Sequence, residues 1–283
     1  MVSCTDKANP VNTTDNNNVV ADNGGGNNDQ GDNNGGNDND SEPAAIDFNN
    51  IDLQDPYYKN SRGTTYKTDN GRNNSSATGH IAETPWEYEL WYTDGNNSIT
   101  LYSNGNFKTT WSGTSSLLSR VGYKYANSSD YVDYNTKNYI ADYQFTKAGA
   151  AVFGCIGVYG WTYNPIVEYY IIEDWYGDKP SASALGTKKG ELTVDGENYF
   201  IYENSRPRMS TPWGTQDIKQ IFSVRQSASH QGRIHINAHF NRWNTMGLRP
   251  GKLVEVAMAV QVEGNATGSV DFTYFNLMAL KSE

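Results

Sequence analysis

The sequence predicts an all-β protein built as a two-sheet sandwich or jelly roll, and three observations carry that expectation. From Trp86 onward, short runs of Tyr, Trp, Val, Ile and Thr are separated by turn signals such as "TDGNN", "SNGN", "YANSSD", "PGK" and "EGNATGS" at hairpin spacing. Within those runs apolar residues alternate with polar or small ones, the period of a pleated strand. No stretch keeps an apolar stripe over several helical turns; "STPWGTQDIKQIFSVRQSAS" alone reads as a short helix or a long connection.

The 283 residues divide into three segments. Residues 1–41 are dominated by Asn, Asp and Gly with no aromatic side chain, too little apolar surface to offset the entropy of ordering, so a disordered tether is expected. Residues 42–76 hold turn residues and a few Tyr but little periodicity, and read as an N-terminal extension. Residues 77–283 carry all 7 Trp and enough apolar surface for one normal core, which makes a single domain.

A net charge of −10 without a basic stripe argues against a nucleic-acid partner, whose phosphates call for Lys and Arg. No apolar run approaches the roughly twenty residues that span a bilayer, and the start lacks the apolar centre of a signal peptide. The opening "MVSC" before a polar tether looks like the stump of a bacterial lipoprotein signal, with Cys4 as the acylated residue; the other reading is an incidental thiol. Membrane contact is expected only through such an anchor. The second cysteine, Cys155, lies in the apolar "AAVFGCIGVYGW", so neither a disulfide framework nor a cysteine metal site is expected.

Three strands can be read face by face. In "LVEVAMAVQVE", Val254, Val256, Met258, Val260 and Val262 share one face, and Glu255, Ala257, Ala259, Gln261 and Glu263 the other. In "RIHINAHFNRW", Ile234, Ile236, Ala238 and Phe240 oppose Arg233, His235, Asn237, His239 and Asn241. In "NPIVEYYIIEDW", Val167, Tyr169 and Ile171 alternate with Glu168, Tyr170 and Ile172. Each strand therefore has a face for the space between two sheets and a second face that is wet or lines a cleft. Glu168 and Glu263 stand on such second faces. Two carboxylates are the minimum for cleaving a glycosidic bond, one to protonate the leaving oxygen and one to attack or to activate water. Tyr and Trp suit sugar rings, which stack on aromatic faces and bond to the polar edges.

These residues resemble a known family. "VYGWTYNPIVEYYIIEDW" is similar to the signature of family 11 glycoside hydrolases, the small endo-β-1,4-xylanases, and "VQVEG" is similar to their second catalytic motif. "WEYELWYTDG", "TTWSGTSSLLSRVGYKY", "FSVRQS" and "HFNRW" follow the family order, so the resemblance spans about Gly79 to Leu280. It implies a β-jelly roll of two twisted antiparallel sheets curled around a substrate cleft, one loop acting as a thumb. It also implies hydrolysis of internal xylan bonds with retention of configuration and no cofactor or metal. Glu168 matches the nucleophile and Glu263 the general acid and base. Trp91 matches a sugar-stacking tryptophan, Tyr159 and Tyr170 the tyrosines flanking the nucleophile, and Arg206 and Gln220 polar groups near the nucleophile and the thumb. The partners implied are xylan and xylo-oligosaccharides, met by a monomer that is secreted or anchored at the bacterial cell surface.

The sequence also departs from the family pattern. The usual Pro-Ser-Ile of the thumb tip is replaced by Ser210, Thr211 and Pro212, with Trp213 as added aromatic surface. Ala257 and Ala259 stand where the strand before the acid usually has a Tyr, and Ser116 stands where an Asn or Asp usually neighbours the acid. The alternatives are a non-catalytic carbohydrate-binding module and a β-1,4-glucanase of the related jelly-roll clan. Glu173 and Asp174 read as strand-end charges, because "EYYIIED" lacks a glucanase spacing. His235 and His239 share a strand face but lack a third metal ligand. The Asp and Asn repeats of the tether lack the spacing of a calcium loop.

Overall fold

The computed structural model describes residues 42–44, 46–48, 64–69 and 75–282. The expected tether at 1–41, with Cys4, and most of the 42–76 extension lie outside the described residues. The chain enters with β1 (Thr64–Asp69), β2 (Ser75–His80), β3 (Glu87–Tyr92), β4 (Asn96–Leu101) and β5 (Phe107–Lys124). β6 (Lys137–Ala150), β7 (Phe153–Tyr163), β8 (Val167–Tyr176) and the short helix α1 (Ala182–Leu185) follow. β9 (Thr187–Val194), β10 (Glu197–Thr211), β11 (Gly214–Arg225) and β12 (Gln231–His235) lead into helix α2 (Ile236–Thr245). β13 (Lys252–Leu253) and β14 (Glu255–Lys281) come last.

Two strands are long enough to serve two layers. The first part of β5 pairs with β4 and its later part with β3. β14 pairs with β7 up to Glu263 and with β6 from Thr267 onward. The two long strands also pair with each other along most of their lengths. An outer layer, β1-β4-β5-β14-β6-β12, thus shares its middle with an inner layer, β2-β3-β5-β14-β7-β8-β11-β10-β9. Where the layers part, the β5–β14 register slips on both sides of Ala266. Gly264 (φ 95) and Gly113 (φ 65) lie at that corner, in a left-handed conformation that costs glycine little.

The alternation expected for β8 and β14 holds up to the bulge in β8 and from Glu255 on in β14; Val254, expected on the core face, sits in a bend and packs into the other cluster. Val167, Tyr169, Ile171, Val256, Met258, Val260 and Val262 fill the core between the layers. Tyr170, Ile172 and Ala259 face the other way, into a second apolar cluster with Trp91, Leu118, Tyr159, Trp161 and Phe222 on the open face of the inner layer. The layers are not wholly antiparallel, because β8 and β11 pair in parallel. The chain passes through α1 and the β9–β10 hairpin between them, and this longer excursion returns it in the same direction.

Three expectations are corrected. The stretch 210–229 is the end of β10, a turn at Pro212–Trp213, and β11, not a helix; Ile218, Gln220, Phe222 and Val224 alternate along it and are all buried. "RIHINAHFNRW" begins as strand β12 but continues as α2, in which Ile236, His239, Phe240 and Trp243 are buried at helical spacing. Ile236 and Phe240 satisfy both periods, and packing decides: Tyr169 meets the rings of Phe240 at 4.9 Å and Trp243 at 5.8 Å.

Glu173 and Asp174, thirdly, are not solvated strand ends. The β7–β8 register jumps by one residue at Glu173, so two consecutive acids both turn in between the layers, which strict alternation forbids. Glu173 accepts hydrogen bonds from Tyr143 Oη (2.8 Å), Tyr199 Oη (2.8 Å) and Arg225 Nη1 (2.7 Å). Asp174 accepts from Lys147 Nζ at 2.8 Å and lies 3.1 Å from His230 Nε2. Replacing Arg225 by Met leaves Glu173 an uncompensated buried charge, so a loss of about 3–5 kcal/mol in urea unfolding is expected. Lys188→Met, in the exposed Lys188–Glu191 pair, should cost no more than about 1 kcal/mol.

His235 pairs with Glu42 (Nε2 to Oε1, 2.9 Å) and with Asp195, while His239 lies apart from it inside α2. Among the described residues no three His, Cys, Asp or Glu side chains group as metal ligands. His239 packs edge-on to Tyr199 at 4.7 Å, neither ring nitrogen has a partner, and burial pushes its pKa down to about 3. The folded protein therefore binds one proton fewer than the unfolded chain between about pH 3 and pH 6.5, so His239 withdraws stability as pH falls through that window. His239→Leu should show a shallower acid-side decline in unfolding free energy than the wild type. A difference between the two proteins that stays constant from pH 8 to pH 4 would exclude this.

Candidate active site

The β-branched and aromatic run of β8 makes a strand whose even-numbered residues before the bulge, Glu168, Tyr170 and Ile172, face the open side of the inner layer. Register then builds a row across four strands: Asn204 on β10 is opposite Gln220 on β11, Gln220 opposite Glu168, and Glu168 opposite Trp161 on β7. Because residues in register share a face, the row becomes a hydrogen-bond chain. Asn204 Nδ2 donates to Gln220 Oε1 at 3.1 Å, and Gln220 Nε2 donates to Glu168 Oε2 at 2.6 Å. On the other side Trp161 Nε1 donates to Tyr159 Oη at 2.6 Å, and the Tyr159 and Tyr170 hydroxyls each donate to Glu168 Oε1 at 3.0 Å. Both carboxylate oxygens are thereby oriented.

Glu168 is 4% exposed. Burial pushes its carboxyl above the ordinary range, and the donors Gln220, Tyr159 and Tyr170, with the Arg120 cation, pull against that shift. The group is a buried carboxyl held in a fixed geometry by partners that favour its charged form against the burial that disfavours it.

Glu263 lies on the same face, two strands away across β7, in register with Phe153 of β7 and Ser116 of β5. It is the last residue of β14 to pair with β7 before the corner, so the bend that separates the layers also sets its place. Trp91, on β3, is buried in the same aromatic cluster. Arg206 is half-buried at the base of the β10–β11 hairpin. With Tyr163, Pro165, Gln216 and Asp217 it lines an open hollow of about 950 Å³ whose walls include neither Glu168 nor Glu263. At the hairpin tip, the position of the expected thumb, Trp213 packs on Tyr163 (5.1 Å), Tyr131 (6.3 Å) and Trp161 (6.3 Å). Thr211 Oγ1 ties the turn by donating to Gly214 O at 2.7 Å and accepting from Trp213 N at 3.0 Å.

Three participants escaped the sequence reading. Trp161 lay inside the quoted motif, two residues from Tyr159 and so on the same strand face, a local signal that was available. Asn204 and Arg120 carry no such signal, since their contacts depend on register between separate strands.

The fold and the site together define a jelly-roll protein with two buried acids on an aromatic, cleft-type face, the equipment of a glycoside hydrolase. The sequence profile described as "Glycosyl hydrolases family 11" matches residues 84–273. Endo-1,4-beta-xylanase C of Fibrobacter succinogenes is 45% identical over 208 residues, covering 73% of this chain and 34% of the relative. Endo-1,4-beta-xylanase S20 of Neocallimastix patriciarum is 36% identical over 207 residues, covering 71% of this chain and 60% of the relative. A crystal structure of a mutant ENZbleach xylanase superposes with a TM-score of 0.70 at 27% identity, over 78% of this chain and 88% of that one. The chain belongs to family 11 of the glycosyl hydrolases. It spans only about a third of the Fibrobacter relative and 60% of the Neocallimastix one.

Replacing Gln220 by Met keeps the volume but removes the donor to Glu168 Oε2. The expected result is a loss of about 1–3 kcal/mol in stability and a Glu168 carboxyl that titrates at higher pH than in the wild type, read by ¹³C NMR of labelled glutamate. An unmoved titration would show that Gln220 does not favour the ionised form.

Proposed function

We propose that this chain is an endo-1,4-β-xylanase that hydrolyses internal bonds of xylan and xylo-oligosaccharides with retention of configuration. The observation that carries the reading is Glu168: a buried carboxylate with both oxygens oriented by hydrogen bonds, on one face with Glu263, in a chain of a glycoside hydrolase family. Glu168 attacks the anomeric carbon while Glu263 gives its proton to the departing sugar oxygen; the glycosidic bond breaks as the glycosyl–Glu168 ester forms. Glu263, now ionised, takes a proton from water, and the resulting attack on the anomeric carbon releases the sugar and restores the Glu168 carboxylate. No step calls for a metal or a cofactor. Trp91, Tyr159 and Tyr170 supply stacking surface and hydroxyls for the xylose rings, Gln220 orients Glu168, and Arg206 serves the substrate from the hairpin base.

The protein acts as a monomer outside the cell, either free or held at the bacterial surface through Cys4. Among the described residues no helix is long and apolar enough to cross a membrane. A non-catalytic carbohydrate-binding module would bind xylan without creating reducing ends, and a β-1,4-glucanase would prefer a soluble cellulose derivative. Neither is favoured beside relatives named endo-1,4-beta-xylanase.

Glu168→Gln and Glu263→Gln are each expected to reduce reducing-sugar release from xylan by orders of magnitude, with melting temperatures near that of the wild type. A folded Glu168→Gln protein that keeps more than about a tenth of wild-type turnover would refute the nucleophile assignment. Proton NMR of the earliest products should show the β-anomer first, and an initial α-anomer would overturn the double displacement.

A further inference from the structure

Beyond the acids and their donors, the open face of the inner layer buries a cation. Arg120, on β5, is 7% exposed. Its Nη2 lies 2.6 Å from Glu89 Oε2 on β3, and its Nε lies 2.6 Å from Glu255 Oε1 on β14 in an ionic contact rather than an aligned hydrogen bond. Lys124, four residues further along β5 on the same face, reaches Glu89 Oε2 at 3.3 Å. The guanidinium itself stands 5.2 Å from the centre of the Tyr159 ring. Register explains the reach: Arg120 is opposite Ala259, and Tyr159 is opposite Ala257. The two alanines leave room for a long side chain to lie across β14 toward β7.

We propose that Arg120 is a positioning residue for Glu168: anchored by Glu89 and Glu255, its guanidinium braces the Tyr159 ring and keeps Glu168 in the ionised form that attack requires. The charged and titratable groups facing this cation come from every neighbouring strand, with Glu89 on β3, Lys124 on β5, Glu255 on β14, the neutral phenol of Tyr159 on β7 and Glu168 on β8. Two anions and two cations of that group offset one another, and Glu168 is the charge left over. A cation over a phenol face favours electron density moving toward the ring and so strengthens the donation from Tyr159 Oη to Glu168 Oε1. Burial works against the charge on Arg120, but Glu255 and Glu89 outweigh it and hold the guanidinium above its ordinary range, so the cation persists at every working pH. Arg120 in turn is among the groups that oppose the burial of ionised Glu168. A bare buried ion pair contributes little net stability over an apolar replacement, whereas a cation placed one aromatic ring away from a reacting carboxylate has a distinct use.

The inference rests on the proposed xylanase reading for its kinetic arm only. Arg120→Met should move the acid limb of the kcat/KM profile on xylan to higher pH. The expected loss is about tenfold on the acid side and less than about twofold on the alkaline side. Glu255→Gln, which keeps the cation but removes one anchor charge, should move the limb the other way. Arg120→Lys should restore the wild-type limb even though its melting temperature falls, because it keeps the charge and loses the forked contacts. ¹³C NMR titration of the Glu168 carboxyl should shift in the same directions without any turnover. Folded variants with unmoved limbs and an unmoved Glu168 titration would reduce Arg120 to a packing element. If Arg120→Met does not fold, Glu255→Gln and Arg120→Lys decide the matter by the same two readouts. If the wild type releases no reducing ends from xylan, the functional reading fails and the NMR titration still judges Arg120.

Discussion

The pairing of β5 with β14 is the constraint from which the rest of the structure follows. Both strands are too long for one layer, and because they remain paired through the bend, the two layers must part at the same place on each. The corner is built from the left-handed residues Gly113, Gly264 and Asn265 and a double slip in register, a conformation that glycine and asparagine adopt more readily than other residues. Glu263 stands at that corner, and the strands that β14 admits beside it, β7 and then β8, carry the partners of Glu168. A change in the β5–β14 register by one residue would turn Glu263 and Gln261 into the apolar core and expose Val262 and Val260.

The buried acids among the described residues are met in different ways. Glu173 is neutralised by Arg225 and two phenols between the layers, a structural solution. Glu89 and Glu255 share Arg120 and Lys124. Glu168 is met by the neutral donors Gln220, Tyr159 and Tyr170, with the Arg120 cation held beyond the Tyr159 ring. In the proposed nucleophile role, a carboxylate locked to a contacting cation would be a poor choice, since attack would have to break the pair. Neutral donors and a remote cation favour the charge yet leave the oxygens able to react.

The β10–β11 hairpin shows a second use of aromatic surface. Its tip lacks the usual sequence of the family, and Trp213 packs across to Tyr163, Tyr131 and Trp161. Trp161 also donates to Tyr159, so the hairpin tip and Glu168 are joined through a continuous set of rings and hydrogen bonds.

Sequence alone indicated the fold class, the faces of β8 up to its bulge and of β14 from Glu255 on, and, through motifs that resemble the family, the acids Glu168 and Glu263 with Tyr159 and Tyr170 near the first. All of these rest on period-two alternation or on motifs contiguous in the chain, and such signals are local, so one strand is enough to read them. Tertiary structure decided what alternation could not. Ile236 and Phe240 fit strand and helix alike, and the surface offered by Tyr169 selected the helix. Glu173 and Asp174 looked like exposed strand ends until a bulge against β7 turned both inward. Asn204, Gln220 and Glu168 come from three strands separated by 16 and 52 residues along the chain, and Arg120 reaches Tyr159 across β14. Those contacts exist because hydrogen-bond register aligns distant segments, and register is a property of the assembled sheet that no single segment encodes.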